Sequence, residues 1–151
     1  MALARELEQL LTGLTPAVPG DADELAVAGR ALGIEWPADY VTLMTRRDGG
    51  AAKIAGWPVQ FWPAGSLLRA NVDGGPRHGT GVVWFGWDGY GEDYGFDRVT
   101  GEVVLRAAGG EVEVRRRSLV DWLRHPPDFS DSRREIVRGL VLADERRERG
   151  G

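Results

Sequence analysis

Leucines recur at helical spacing at the start of the chain. Leu3, Leu7, Leu10 and Leu11 share one side and Gly13 ends the run, so residues 3–12 are predicted to be a helix. The segment TPAVPG reads as a turn. Asp21 then suits an N-cap, with Glu24 three residues on as in a capping box, ahead of a helix that buries Leu25, Val27, Ala28 and Leu32 and stops at Gly33. Pro37, preceded by Trp36, opens a third helix at a position where a missing N–H costs nothing. Tyr40, Val41, Leu43 and Met44 form its inner side, and Asp48-Gly49-Gly50 breaks it. Tyr40 is expected to give its ring to the core and its hydroxyl to a nearby polar group.

The period then shortens. Ile54, Trp57, Val59, Phe61 and Trp62 suit short strands, with Pro58 restricting that region to an edge or a strand start. Residues 66–71, ending on Asn71, read as one short helical turn, and 71–81 as a flexible loop. Val82-Val83-Trp84-Phe85 is a continuous apolar run of the kind that fits a central strand. Tyr94 to Asp97, a Thr100-Gly101 turn and Glu102 to Leu105 form a hairpin, and Glu111 to Val114 alternates strictly after Gly109-Gly110. Helices return at the end. Ser118 caps residues 119–123, Pro126-Pro127 stops them, and Ser132 with Glu135 makes a second capping box before a stripe of Ile136, Val137, Leu140 and Val141. Helices, then a meander of strands, then helices predict an α+β domain, not a parallel βαβ sheet.

Several of these signals also occur in a fixed order. Gly33-Ile34-Glu35-Trp36-Pro37-Ala38-Asp39-Tyr40 followed by Asp48-Gly49-Gly50 resembles the signature of the SMI1/KNR4 (SUKH) family. That signature is a helix ending in glycine, a hydrophobic-Pro-x-x-Tyr helix start and an Asn-Gly-Gly-like stop. Trp57-Pro58 to Trp62-Pro63, the helix ending in Asn71, the apolar strand running into Gly86, and residues 88–105 follow in the family's order, so the resemblance spans 20–125. The chain departs from the pattern with Asp48 where Asn is commoner, Trp36 where Leu is commoner, and a glycine-rich stretch at 89–95. The resemblance implies a mostly antiparallel sheet of about four to six strands flanked by N-terminal and C-terminal helices. It also implies fold-determining roles for Gly33, Trp36, Pro37, Tyr40, Gly49, Gly50, Asn71 and Gly86. As function it implies a bacterial immunity protein that neutralises a toxin, of nuclease or deaminase type, by direct binding. Fungal members acting in cell-wall signalling imply the alternative of a regulatory or scaffold protein.

Length fits one domain over 1–151, and with no cysteine the chain has neither disulfides nor thiolate chemistry. Residues 5, 6 and 8 are charged, which breaks any signal-peptide h-region, and no stretch is long and apolar enough for a membrane span, so a cytoplasmic protein is expected. Net charge is −4 and unevenly placed: residues 1–113 carry 16 Asp/Glu and 9 Lys/Arg, and residues 114–151 carry 7 and 10. An acidic body disfavours nucleic acid and suits a protein partner with a basic surface.

Chemistry finds little purchase. His78 and His125 are far apart, and no elbow motif flags a serine. Asp88, Glu92, Asp93 and Asp97 form an acidic cluster in DGYGEDYGFD, but not at EF-hand spacing. A carboxylate- or metal-dependent hydrolase there is the remote alternative; no cofactor is expected. The loop 74–81 matches no phosphate-binding motif, and Arg115-Arg116-Arg117 reads as a solvated strand end. The residues assigned to a partner surface are therefore Asp88, Tyr90, Glu92, Asp93, Tyr94 and Asp97 on the acidic turn and hairpin, with Trp57, Trp62 and Trp87 as aromatic anchors. For the tryptophans, core packing is the plainer use.

Overall fold

A computed structural model describes residues 2–13, 15, 18–72 and 81–150. Residues 73–80, including His78 and most of the segment expected to be a flexible loop, lie outside the described residues. Helices α1 (Ala2–Leu10), α2 (Ala22–Leu32) and α3 (Ala38–Arg46) come first. Strands β1 (Gly50–Ile54) and β2 (Trp57–Phe61), helix α4 (Ala64–Val72) and strands β3 (Val82–Trp87), β4 (Asp93–Asp97), β5 (Val103–Arg106) and β6 (Glu113–Arg116) follow, and helices α5 (Leu119–Arg124) and α6 (Ser130–Gly150) close the order. The strands make one antiparallel sheet in sequential order, β1 to β6, so the fold is α+β with helices at both ends.

Local chemistry explains most element ends. The Asp21 carboxylate accepts from Asp23 N and Glu24 N at the start of α2. Gly33 ends it with a left-handed φ of 70°, Gly33 N donating to Arg30 O and Ile34 N to Gly29 O. Pro37 precedes α3. Gly49 leaves α3 with φ 76°, at a point where a Cβ would lie 2.6 Å from Phe61 O. Asp48 does more than end a helix: its Oδ1 accepts from Ala64 N at 2.8 Å and so holds the first turn of α4. That helix runs nine residues, longer than the expected turn, and its last turn is pinned to the sheet. Asn71 Nδ2 donates to Trp84 O and Asn71 Oδ1 accepts from Trp84 N, so one side chain does for β3 what a neighbouring strand would. The help is needed because β2 pairs with β3 only through Gln60–Trp87 and Phe61–Gly86. Gly86 is required at that pairing, since a Cβ there would stand 2.5 Å from Gln60 O. Pro58 sits at the start of β2, before this pairing begins.

One face of the sheet carries the main core. Tyr40 and Trp36 on the helical side meet Phe85 and Phe96 on the strands, with Phe61 and Trp122 closing the aromatic cluster at centroid distances of 4.6–6.3 Å. The opposite face carries a smaller cluster of Val82, Trp84 and Val104, over which Trp62 packs and Arg106 stacks. There the register puts Gln60, Trp87, Asp93, Arg106 and Glu113 in one row across five strands.

Five expectations are corrected. Val27 is exposed, because α2 buries only the side bearing Leu25, Ala28 and Leu32. Strand β6 begins at Glu113, two residues late, and Val112 stays outside the sheet and exposed. Helix α6 begins at Ser130, where the Asp128 carboxylate takes up Ser130 N, so Ser132 is not its cap. The stripe on α6 is not core: Val137, Leu140 and Val141 are all about half exposed. Nor does the Tyr40 hydroxyl find a polar group; it is fully buried with no hydrogen-bond partner among the described residues.

Candidate functional site: the Trp57–Tyr90–Arg133 corner

The β3–β4 turn, the first residue of β2 and the first turns of α6 meet at one corner. Asp88 builds the turn. Its Oδ1 accepts from Tyr90 N at 2.7 Å and Glu92 N at 2.9 Å, and its Oδ2 accepts from Trp57 Nε1 at 2.9 Å. Gly89 and Gly91 supply the positive φ values, 86° and 108°, that so tight a turn demands. Glu92 then points inward and is 0% exposed. Arg133, 41 residues away on α6, answers it in bidentate fashion: Nε to Oε2 at 2.7 Å and Nη2 to Oε1 at 2.9 Å. Tyr94 OH donates to Glu92 Oε1 at 2.9 Å. The guanidinium in turn lies 4.8 Å from the Trp57 ring centre and 5.8 Å from that of Phe129.

Electrostatics follow from this packing. Burial pushes the Tyr94 phenol far above its usual range, and the negative Glu92 adds to the rise. Burial alone would lower Arg133, but its hydrogen bonds to Glu92 and the charge of that carboxylate prevail, leaving it above the ordinary arginine value. The network is thus a fixed ion pair with a neutral phenol beside it. Such a buried pair orients elements more surely than it stabilises them: here it clamps α6 to the sheet.

These contacts correct the reading of the acidic turn as a charged surface. Asp88, Glu92 and Asp93 are all buried, and so is Tyr94. Asp88 and Glu92 spend their oxygens on turn closure and on Arg133. Asp97 stands at the other end of β4, paired with Arg115 at 2.8 Å and accepting from Val99 N and Thr100 N. The Arg115 hydrogen bond, helped by those two N–H groups, holds its carboxyl well below the usual range. The residues expected to bind a partner therefore separate. Trp57, Asp88, Tyr90, Glu92 and Tyr94 come together at the corner; Asp93, Asp97 and Trp87 belong to the opposite sheet face, with Trp62 at its margin.

What the corner offers to solvent is aromatic. Tyr90 is 44% exposed and its ring lies 5.8 Å from that of the half-buried Trp57. Beside them runs a groove of about 370 Å³ between Trp57, Pro127 and Phe129 on one side and Arg133, Arg134 and Val137 on the other. The exposed charges along it are Asp128 and Arg134 in its lining, with Asp131, whose side chain is 99% exposed, 3.8 Å from Arg134. Arg133 and Phe129, which complete the site, lacked any local signal in the sequence. Among the described residues, no group of three or more His, Cys, Asp or Glu is placed to hold a metal ion, and no helix is long and apolar enough to cross a membrane. Of the segment 74–81, which matched no phosphate-binding motif, residues 74–80 lie outside the described residues.

No protein-family model and no curated protein matches this chain.

Proposed function

We propose that this chain is a non-enzymatic protein-binding domain of SMI1/KNR4-like character. In this reading it acts as an immunity protein that occupies the active face of a toxin of nuclease or deaminase type. The observation that carries it is the corner itself: an exposed Tyr90 and a half-exposed Trp57 beside an arginine fixed from below, next to an apolar groove. Tyrosine, tryptophan and arginine on a rigid base are the residues that dominate binding energy in protein interfaces. The positions that carry the family resemblance support the reading from another side. Gly33, Pro37, Gly49, Asn71 and Gly86 each sit where a cap, a close approach or a strand substitute requires them. A basic toxin surface would meet Asp128 on the groove and Asp131 beside it, and the turn carboxylates would act only as scaffold.

The test is co-expression with the toxin-like product of an adjacent reading frame, followed by purification of the complex. Protection of the cell and a stable complex are expected. Tyr90→Ala and Asp131→Lys, both at exposed positions, are expected to weaken it about tenfold or more each. A toxin that kills undiminished beside the folded chain, with no complex recovered, would refute immunity. A complex indifferent to both substitutions would move the interface elsewhere.

A further inference from the structure

The groove beside Trp57 combines apolar walls with an uneven set of charges. Trp57, Pro127, Phe129 and Val137 make the walls, and about 370 Å³ between them leaves room for a ring as large as indole. Two arginines also line it, yet neither leaves a positive charge to spare. Arg133 is held by Glu92 at 2.7 and 2.9 Å, so the pair is neutral as a unit. Arg134 and Asp131 lie 3.8 Å apart, and seen from a partner their charges cancel. Asp128 is the charge left over. It is exposed, its Oδ1 accepts from Ser130 N at 3.0 Å, and it forms no ion pair among the described residues. Hydrogen bonding to the Ser130 side chain, and then to its N–H, holds the carboxyl below its usual range and keeps it an anion at neutral pH. A second groove, about 350 Å³ and lined by α2 and residues 34–36, carries Arg30 and Glu35 together and so favours neither sign.

We infer that this groove receives an aromatic side chain of the protein partner whose neighbouring residue is lysine or arginine. The inference rests on the protein-binding reading above and names the chemistry that the partner brings to the corner. The ring lies against Trp57, Phe129 and Val137, and the cation stands on Asp128. Trp57 is fixed for this use, since its Nε1 donates to Asp88 and its ring is held by Tyr90 and Arg133. An acidic or phosphorylated segment would meet the uncompensated Asp128 with Arg133 already committed to Glu92. A cation without a ring would forgo the contact that the four walls supply. Aromatic residues seated on such a fixed base concentrate binding energy, and the ion pair adds direction more than affinity.

Blocked dipeptides titrated into the isotope-labelled full chain test it, with NMR shifts as the readout. N-acetyl-tryptophanyl-lysine amide is expected to move the Trp57 indole N–H and the Ser130 and Val137 amides, with half-saturation at about millimolar concentration. The tryptophanyl-glutamate peptide should bind about threefold or more weakly, as an exposed ion pair allows, and the alanyl-lysine peptide should not saturate. Asp128→Asn keeps an oxygen to cap Ser130 N and should erase the preference for lysine over glutamate. Val137→Arg, at an exposed position, should abolish binding. Shifts confined to the groove at Arg30 and Glu35, a preference for the glutamate peptide, or a lysine preference that survives Asp128→Asn would each overturn the proposal. So would the absence of any saturable shift up to about ten times the expected concentration. The assay needs no toxin, which separates the two readings. A failed titration beside an intact toxin complex overturns this occupant alone, and a lysine preference kept without any toxin complex upholds the groove while immunity falls.

Discussion

Replacing Arg133 by methionine removes the only cation among the described residues that answers Glu92 while keeping a long side chain between Trp57 and Phe129. Glu92 is fully buried, and its two charge-assisted hydrogen bonds at 2.7 and 2.9 Å would be lost together, leaving the Tyr94 hydroxyl as its remaining donor. Breaking a buried pair from one side costs about 3–5 kcal/mol, a large part of the 5–15 kcal/mol that a domain commands. Urea unfolding reads this directly: at about 2 kcal/mol per molar for a chain of this size, the midpoint should fall by roughly 1.5–2.5 M. The cost belongs to the orphaned carboxylate and not to lost packing, so neutralising it as well should return most of the stability. Glu92→Gln on top of Arg133→Met is therefore expected to be more stable than Arg133→Met alone, with a coupling of about 2–3 kcal/mol. A loss under about 1 kcal/mol for the single variant, or a double variant no better than the single, would refute the clamp.

Three further outcomes follow from individual contacts. Tyr40→Phe removes a buried hydroxyl without a hydrogen-bond partner among the described residues, so stability should stay within about 0.5 kcal/mol or rise; a loss above about 1 kcal/mol would mean the hydroxyl is satisfied after all. Gly86→Ala places a methyl 2.5 Å from Gln60 O and should cost about 1–3 kcal/mol in thermal or urea unfolding, whereas Gly101→Ala, where a Cβ meets nothing, should lack that packing cost and show only the strain of its φ of 76°. Asp97 has its carboxyl held below the usual range by Arg115, so its contribution is present above the unfolded value near 3.8 and is lost as pH falls below it. Asp97→Asn should cost about 1 kcal/mol at pH 7 and progressively less toward pH 2; an equal cost at both pH values would contradict the assignment.

How far the sequence could be read depended on the range over which each residue acts. The caps at Asp21 and Ser118, the glycine stop at Gly33 and the proline before α3 operate within four residues, and all were visible in the pattern. So was the apolar run of β3, because a strand covered on both faces needs no alternation. The second job of Asp48 was hidden: it holds Ala64 N across 16 positions. So was that of Asp39, whose Oδ2 accepts from Val120 N at the start of α5, 81 positions away.

The acidic turn shows why such distance matters for function. A run of carboxylates between glycines has the composition of a solvated loop, and by local rules Asp88, Glu92 and Asp93 belong outside. The structure buries Asp88 and Glu92 because the compensating groups come from elsewhere: Trp57 from the preceding hairpin and Arg133 from a helix that looked like an independent amphipathic element. The same displacement exposed what had looked like core. An apolar stripe at helical spacing says only that a face wants cover; it does not say that the cover lies in the same chain. On α6 the body supplies it as far as Arg133, and beyond that point Val137, Leu140 and Val141 stay about half exposed.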